Sequence, residues 1–277
     1  MKKRFTTLFA AALICSCAAW GQQTLTIPEP VKMSAPAWNG KVKPGVGVKT
    51  ILLKCIGQKY AEPTIYLDKW REEKGLEMTY KYKDAGNERV PAKYNGLELN
   101  SEFTGGDYPI YVYGDTYDVN QTVMIITDRE CQNVKYSIDL SSWAHGPKEI
   151  VDPEYTRISV GYAMVENGIL YIGHWHRTFA DSSQGKNGYI TAIDLATMKQ
   201  LWTTLPLTCN SSFDITGNSI VCGYGFTDEP DFVYVVDKTT GKRKQTIKVL
   251  NGPDDIVVKG KRVYVRTYSY DYLFTFK

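Results

Sequence analysis

Two imidazoles stand two residues apart in this chain, at His174 and His176, with Asp181 close behind them. On an extended strand, residues i and i+2 share one face. That spacing would bring two imidazole nitrogens and a carboxylate to one point, a set suited to a divalent metal or to acid–base work near neutral pH. The third histidine, His145, follows Trp143 in a polar stretch. Carboxylates come as two adjacent pairs, Asp228-Glu229 and Asp254-Asp255. Such pairs hold calcium, exchange a proton with a substrate, or simply shape turns. Tyr268, Tyr270 and Tyr272 alternate with other residues and offer flat rings for a sugar or a peptide. Each feature also has a structural use. A histidine can bond to backbone inside a sheet, and tyrosine is a good strand former.

The elements that must carry these residues are strands. Val160–Val165 and the runs over 170–176, 189–193 and 200–205 read as four strands joined by polar turns. The same order returns over 212–215, 220–226, 232–236 and 244–249, and again over 256–258, 262–268 and 272–276, where the chain ends one strand short. Asp194 and Asp237 mark equivalent turns forty-three positions apart. Repeats of 40–50 residues with four short strands each indicate an all-β fold, a β-propeller of four-stranded antiparallel blades. Upstream, 97–103, 108–113, 122–127 and 134–138 fit one more blade, and 51–55, 64–67 and 76–82 fit three strands of another. The tally is about five blades, with six open because 28–50 is rich in Pro, Gly and Lys. The run 68–75 lacks an apolar stripe and reads as a loop. Thr24–Ile27 alternates Thr, Leu, Thr and Ile, and is expected to supply the missing last strand and close the ring. In a meander of this kind the B–C and D–A loops share one rim, and that rim would hold all three histidines, both acidic pairs and the tip bearing Tyr268 and Tyr270.

One motif supports this reading. The segment Ala192-x-Asp194-x-x-Thr197-Met198-x-x-x-Trp202 resembles the A-x-D-x-x-T-G-x-x-x-W repeat of pyrroloquinoline-quinone-like (quinoprotein-type) β-propellers, with Met198 in place of the usual glycine. A second copy keeps Asp237, Thr240 and Gly241, with Val235 for the alanine and Gln245 for the tryptophan. A third trace is Ile125-Ile126-Thr127-Asp128. The chemistry of the motif is structural. The Asp and Thr side chains fix the C–D turn, and the indole docks on the next blade. The quinone-dependent dehydrogenases of this type resemble one another in an eight-bladed ring with an adjacent Cys-Cys pair. This chain has no such pair after residue 21 and too few residues, so the resemblance implies the fold and not that activity.

Residues 1–21 read as a secretory signal, with Lys2, Lys3 and Arg4 before a short apolar run and Ala19-Trp20-Gly21 at the exit. Ile14-Cys15-Ser16-Cys17 resembles a lipobox, so Cys17 as a lipid-bearing first residue is a second reading. The whole chain has 33 Lys and Arg against 30 Asp and Glu. The leader carries three bases and no acid, so residues 22–277, read as a single propeller domain, are formally neutral. Nucleic acid is therefore not an expected partner, and no later stretch is apolar enough to span a membrane as a helix. Cys55, Cys131, Cys209 and Cys222 have no metal-ligand spacing, and the expectation is four buried thiols, with Cys222 facing Phe213 rather than Cys209.

The expectation for function is an exported, non-catalytic binding or scaffold propeller of the periplasm, cell envelope or medium. Its ligand would be a glycan, peptide or protein, held by His145, His176, Asp228, Glu229, Asp254, Asp255, Tyr268 and Tyr270. The alternative is a hydrolase- or lyase-like enzyme centred on His174, His176 and Asp181. No organic cofactor is called for; a divalent metal is the group that those three could hold.

Overall fold

The computed structural model describes residues 24–44, 49–63, 66–82, 85–114, 121–147 and 156–277. The expected leader, with Cys17, lies outside them. In chain order the elements begin with β1 (Val31–Lys32), β2 (Leu53–Tyr60), α1 (Leu67–Glu73) and β3 (Tyr80–Tyr82). A first run of strands follows: β4 (Lys93–Tyr94), β5 (Leu97–Phe103), β6 (Ile110–Gly114), β7 (Gln121–Thr127) and β8 (Val134–Asp139). The second holds β9 (Ser159–Glu166), β10 (Ile169–Trp175), β11 (Tyr189–Asp194) and β12 (Lys199–Thr203). The third holds β13 (Asp214–Thr216), β14 (Ser219–Tyr224), β15 (Phe232–Asp237) and β16 (Arg243–Lys248). The last is β17 (Pro253–Lys259), β18 (Arg262–Thr267) and β19 (Tyr270–Phe276).

These strands make blades. β5 to β8, β9 to β12 and β13 to β16 are antiparallel meanders, and β17 to β19 form a fourth sheet completed by β2. The middle strands read as continuous apolar runs because each blade is covered on both faces. All six residues of β14 are buried. The outer strand β16 instead alternates half-buried and exposed positions, as a strand with one solvated face should.

The described residues carry four such sheets rather than five, and the difference lies in 51–82. The expected strand over 51–55 overlaps the start of β2 (Leu53–Tyr60), which pairs antiparallel with β19, Phe274 opposite Cys55. It is β2, not Thr24–Ile27, that supplies the missing outer strand. Thr24–Ile27 forms no strand; Leu25 donates its N–H to the Arg89 carbonyl and packs beside Tyr111 and Tyr113. The expected loop over 68–75 is the short helix α1, ended by Gly75 in the left-handed region (φ +63°). It shows no apolar stripe because it has only about two turns and is anchored mainly through Trp70 and Arg71, with Leu67 packed on the core. Trp70 donates Nε1–H to Asp271 (2.8 Å), and Arg71 is fully buried.

The repeated motif does the structural work expected of it. Asp194 Oδ1 accepts the N–H groups of Ala196 (2.9 Å) and Thr197 (3.3 Å); Asp237 Oδ1 does the same for Thr239 (2.9 Å) and Thr240 (3.1 Å). Met198 adopts φ +53° where the second copy has Gly241 at +74°. Trp202 is buried and packs so closely on Gly241 of the next blade that a Cβ there would lie 2.6 Å from the indole. Among the cysteines two expectations fail. Cys55 is exposed, because β2 is an outer strand. Cys222 adjoins Cys209, and burial together with that hydrogen-bonded neighbour pushes its thiol pKa well up.

The inner edges of the four sheets meet around one buried ion pair. Arg71 places Nε 2.6 Å from Asp255 Oδ2 and Nη2 2.7 Å from Oδ1, with both side chains sealed from solvent. Burial opposes the guanidinium charge, but the Asp255 hydrogen bond and charge outweigh it, and the Arg71 pKa is raised. Ser212, at the entry to β13, donates to Asp255 Oδ1 (2.6 Å) and accepts the Ile256 N–H (2.9 Å). Arg71 also donates to Thr79 (3.1 Å), which is hydrogen-bonded to the Tyr162 hydroxyl of β9 (3.1 Å). Around the outside the N-terminal segment acts as a strap. It pairs β1 with β8, bridges Lys41 to Thr203, donates Lys43 N–H to Thr240, and ends in β2.

Removing one member of this pair strands a buried charge. Arg71→Ala should therefore cost about 3–5 kcal/mol in urea denaturation. Arg71→Met combined with Asp255→Leu should recover most of that loss. A double variant as unstable as the single one would show that the pair is not what joins the blades.

Candidate functional site

His174 and His176 are structural. His174 is the penultimate residue of β10, next to a register shift after Gly173, and is fully buried. Its Nε2 meets the Thr191 hydroxyl at 2.9 Å, and its ring stacks on Tyr189 (5.3 Å) beside Trp143 (4.9 Å) and Trp38 (6.0 Å). Burial lowers its pKa to about 3. His176 lies past the strand. The Thr178 N–H points at its Nδ1 (3.4 Å), so Nε2 carries the proton and faces the Ser183 hydroxyl at 2.7 Å. Burial lowers its pKa to about 4. The structure does not bring His174, His176 and Asp181 to one point. Asp181 is exposed on a 3-10 turn over Ala180–Ser183, and no group of three metal-ligating side chains occurs among the described residues. His145 is exposed two residues beyond Trp143, whose ring touches His174, so all three histidines do lie toward one end.

That end carries two clefts, and they meet at the loop bearing Asp228 and Glu229. The first, about 540 Å³, lies between the third and fourth blades. Asp228, Glu229, Asp231, Asp254, Leu250 and Tyr268 line it. Asp228 is exposed at φ +63°. Glu229 is committed: it accepts the Tyr224 hydroxyl and the Ala180 N–H, both at 2.6 Å, and so ties the third blade's loop to the second's. Asp231, which the sequence reading passed over, sits against Gly225, where a Cβ would lie 2.2 Å from its Oδ1. That oxygen is buried and makes no hydrogen bond. Burial, and then the Glu229 charge, lift the Asp231 pKa to about 6. Asp254 reaches solvent through the mouth but is hemmed in by the cleft. Desolvation lifts its pKa to about 6 against the pull of Arg266.

The expected pair Asp254-Asp255 is split. Adjacent residues of β17 point to opposite sides, so Asp255 turns to the hub and takes no part in the rim. The tyrosine platform is split as well. Tyr268 stands on the rim, 60% exposed, whereas Tyr270 packs edge-on against Tyr60 (5.7 Å) on the outer strand. Tyr272 is buried beside it, its ring 6.1 Å from Phe274.

The second cleft, about 700 Å³, lies between the second and third blades. Its walls are apolar, with Phe179, Leu207, Phe232 and Tyr234, and Arg243 lies among them. Both volumes fall in the range of small-ligand sites. Nothing in the sequence singled out Arg243, which stands in a Lys-Arg-Lys run after a turn and looks like a solvated base. Asp231 had a faint signal, a third carboxylate within four residues of Asp228 at the start of an apolar run.

No family model matches the chain, and no curated protein does. Among solved structures the chain is similar to BamB from Moraxella catarrhalis, at 10% identity over 72% of this chain and 48% of that one, with a TM-score of 0.43. It is similar to a europium-containing methanol dehydrogenase at 9% identity, over 62% of this chain and 38% of that one, with a TM-score of 0.42. A third is the WD40 β-propeller domain of Doa1, at 15% identity over 61% of this chain and 47% of that one, with a TM-score of 0.36. This chain spans less than half the length of each. The likeness is one of architecture, and the blades described above establish that architecture in their own right.

The titrating groups predict opposite pH effects. Both buried imidazoles have pKa values below the unfolded value near 6.5, so the unfolded chain binds more protons as pH falls through that point. Each imidazole then removes about 1.4 kcal/mol of stability per pH unit until its folded pKa is reached. His174→Phe keeps the aromatic packing without the titration and should shrink the fall in melting temperature between pH 7 and pH 5. An unchanged fall would contradict a buried neutral His174. Asp231 works the other way. Its folded pKa is raised, so its charge opposes folding fully above about pH 6, less and less as pH falls toward the unfolded value of about 3.9, and not at all below that. Asp231→Asn should raise the melting temperature more at pH 7.5 than at pH 4.5; equal shifts at both would count against the raised pKa.

Proposed function

We propose that this chain is an exported binding or scaffold propeller of the cell envelope, using the rim between its second, third and fourth blades to hold a peptide, glycan or protein. The observation that carries this reading is the pair of adjoining clefts, which meet at the Asp228–Glu229 loop. Exposed apolar side chains flank them: Phe179 (44%), Leu205 (47%), Leu250 (55%) and Tyr268 (60%). Exposed apolar groups gathered around a polar cleft are a mark of recognition surfaces. Binding is favoured over catalysis because the residues best suited to chemistry by type are engaged elsewhere. His174 and His176 hold the second blade together, and Asp255 holds the hub. A hydrolase- or lyase-like activity would have to use Asp231 and Asp254, the two carboxyl groups with pKa values of about 6 in one cleft. Export rests on the leader-like residues 1–21, and a lipid anchor on Cys17. No helix among the described residues is long and apolar enough to cross a membrane.

The test pairs a peptide and glycan array with a rim variant, Phe179→Ala with Tyr268→Ala, and an outer-strand control, Ile56→Ala. Specific binding that the rim variant loses and the control keeps is the expected result. Ligands held equally well by both would move the surface elsewhere. A substrate consumed by the wild type but not by Asp231→Asn would replace binding by catalysis. An uncleaved leader on protein from the cytosolic fraction would remove export.

A further inference from the structure

The apolar cleft between the second and third blades contains a cation without an anion. Arg243 is half-buried, and its side chain lies over the Tyr234 ring, 4.5 Å from its centroid. Its Nε donates to the Thr208 hydroxyl (2.8 Å) and its Nη2 to the Pro206 carbonyl. Those two bonds fix the plane of the fork. No carboxylate among the described residues lies within ion-pair distance of it, and its Nη1 makes no hydrogen bond there. Burial lowers its pKa, so the site holds the charge at a cost that an anion would offset. The one half-buried carboxylate lining the cleft, Glu229, is taken by Tyr224 and Ala180. Leu207, between the Pro206 and Thr208 that hold the guanidinium, is at φ +58°, a left-handed conformation uncommon outside glycine and concentrated at functional sites.

The rest of the cleft limits what the anion belongs to. Leu207, Phe232 and Tyr234 surround the guanidinium with apolar surface, which suits an apolar group next to the negative charge. Asp181 and Asp228 stand exposed at the mouth, where they repel a second anion and attract a cation. We propose that this cleft takes the C-terminal end of a peptide. Its terminal carboxylate pairs with Arg243, its last, apolar side chain packs among Leu207, Phe232 and Tyr234, and a basic residue upstream lies toward Asp181 and Asp228. A planar guanidinium with its orientation already set is matched to a carboxylate in a way that a lysine would not be. A volume of about 700 Å³ accommodates two or three residues. The assignment rests on the binding reading above and names its ligand.

The experiment is calorimetric titration of the intact protein with the tripeptide Lys-Ala-Leu as the free acid, as its C-terminal amide, and as the N-acetylated free acid. The amide should bind about tenfold more weakly than the acid or worse, since it forfeits one charge-assisted pair. Arg243→Gln should abolish the difference between acid and amide. Its melting temperature is measured alongside, because the variant also loses the bonds to Thr208 and Pro206. The comparison of acid with amide on the unaltered protein does not depend on that variant. Equal affinity for acid and amide, or no binding of the acid at about 5 mM, overturns the assignment. Equal affinity that is lost in the Phe179→Ala, Tyr268→Ala protein would leave the rim as a binding surface and remove only the carboxylate. Array ligands lost from neither protein would sink the rim itself.

Discussion

The buried pair of Arg71 and Asp255 is the contact on which the arrangement of the blades turns. Four sheets packed edge-inward leave a hub that must be filled, and here one guanidinium fills it. Arg71 comes from α1, far from β17 in sequence, and its five donors reach several neighbours at once. Asp255 takes two of them and Thr79 a third, while Ser212 bonds the same carboxylate from the third blade. Taking both charges out of water offsets much of their attraction, so the pair contributes less net stability than its geometry suggests. Its contribution is one of placement. A forked donor facing a carboxylate allows one orientation of α1, whereas an apolar contact would allow several. Burial raises the phenol pKa values of nearby Tyr80 and Tyr162, so the rings that complete the hub stay neutral.

With the inner edges joined at the hub and the outer edges held by the N-terminal strap, the loops at one rim are left with little to support. Those loops form the two clefts. Even there the division of labour is sharp. Glu229 is a structural tie between two loops, while Asp228 beside it is free in solvent. His176 organises its loop from within through Ser183, with Asn187 bracketing its backbone. What remains for a ligand is a mixed surface, with carboxylates on one side of the Asp228–Glu229 loop and aromatic walls around an unpaired guanidinium on the other. A surface of that composition discriminates by charge pattern more than by shape.

The strands were legible because their period is short and their turns carry their own chemistry. The Asp and Thr of the repeated motif bond to the turn they occupy, so the motif announces itself within a dozen residues, and Trp202 meets the next blade as its spacing implies. The region 51–82 was misread because its partners are distant. β2 pairs with a strand more than two hundred residues away, and α1 owes its stability to Asp255 and Asp271 rather than to any pattern of its own. Thr24–Ile27 has the alternation of a strand but no sheet edge to join.

By itself the sequence determined that this chain is all-β, that its sheets are short antiparallel meanders repeating at about forty residues, and which rim receives the histidines and the Asp228–Glu229 pair. Local periodicity and turn chemistry suffice for that. Only the tertiary structure decided what those residues do there. Whether Asp254 or Asp255 faces a ligand depends on which side of one strand meets Arg71. Whether a histidine is a ligand or a core residue depends on the rings that surround it. Charge state and accessibility are properties of an environment assembled from several blades, and a residue's type and spacing do not contain that environment.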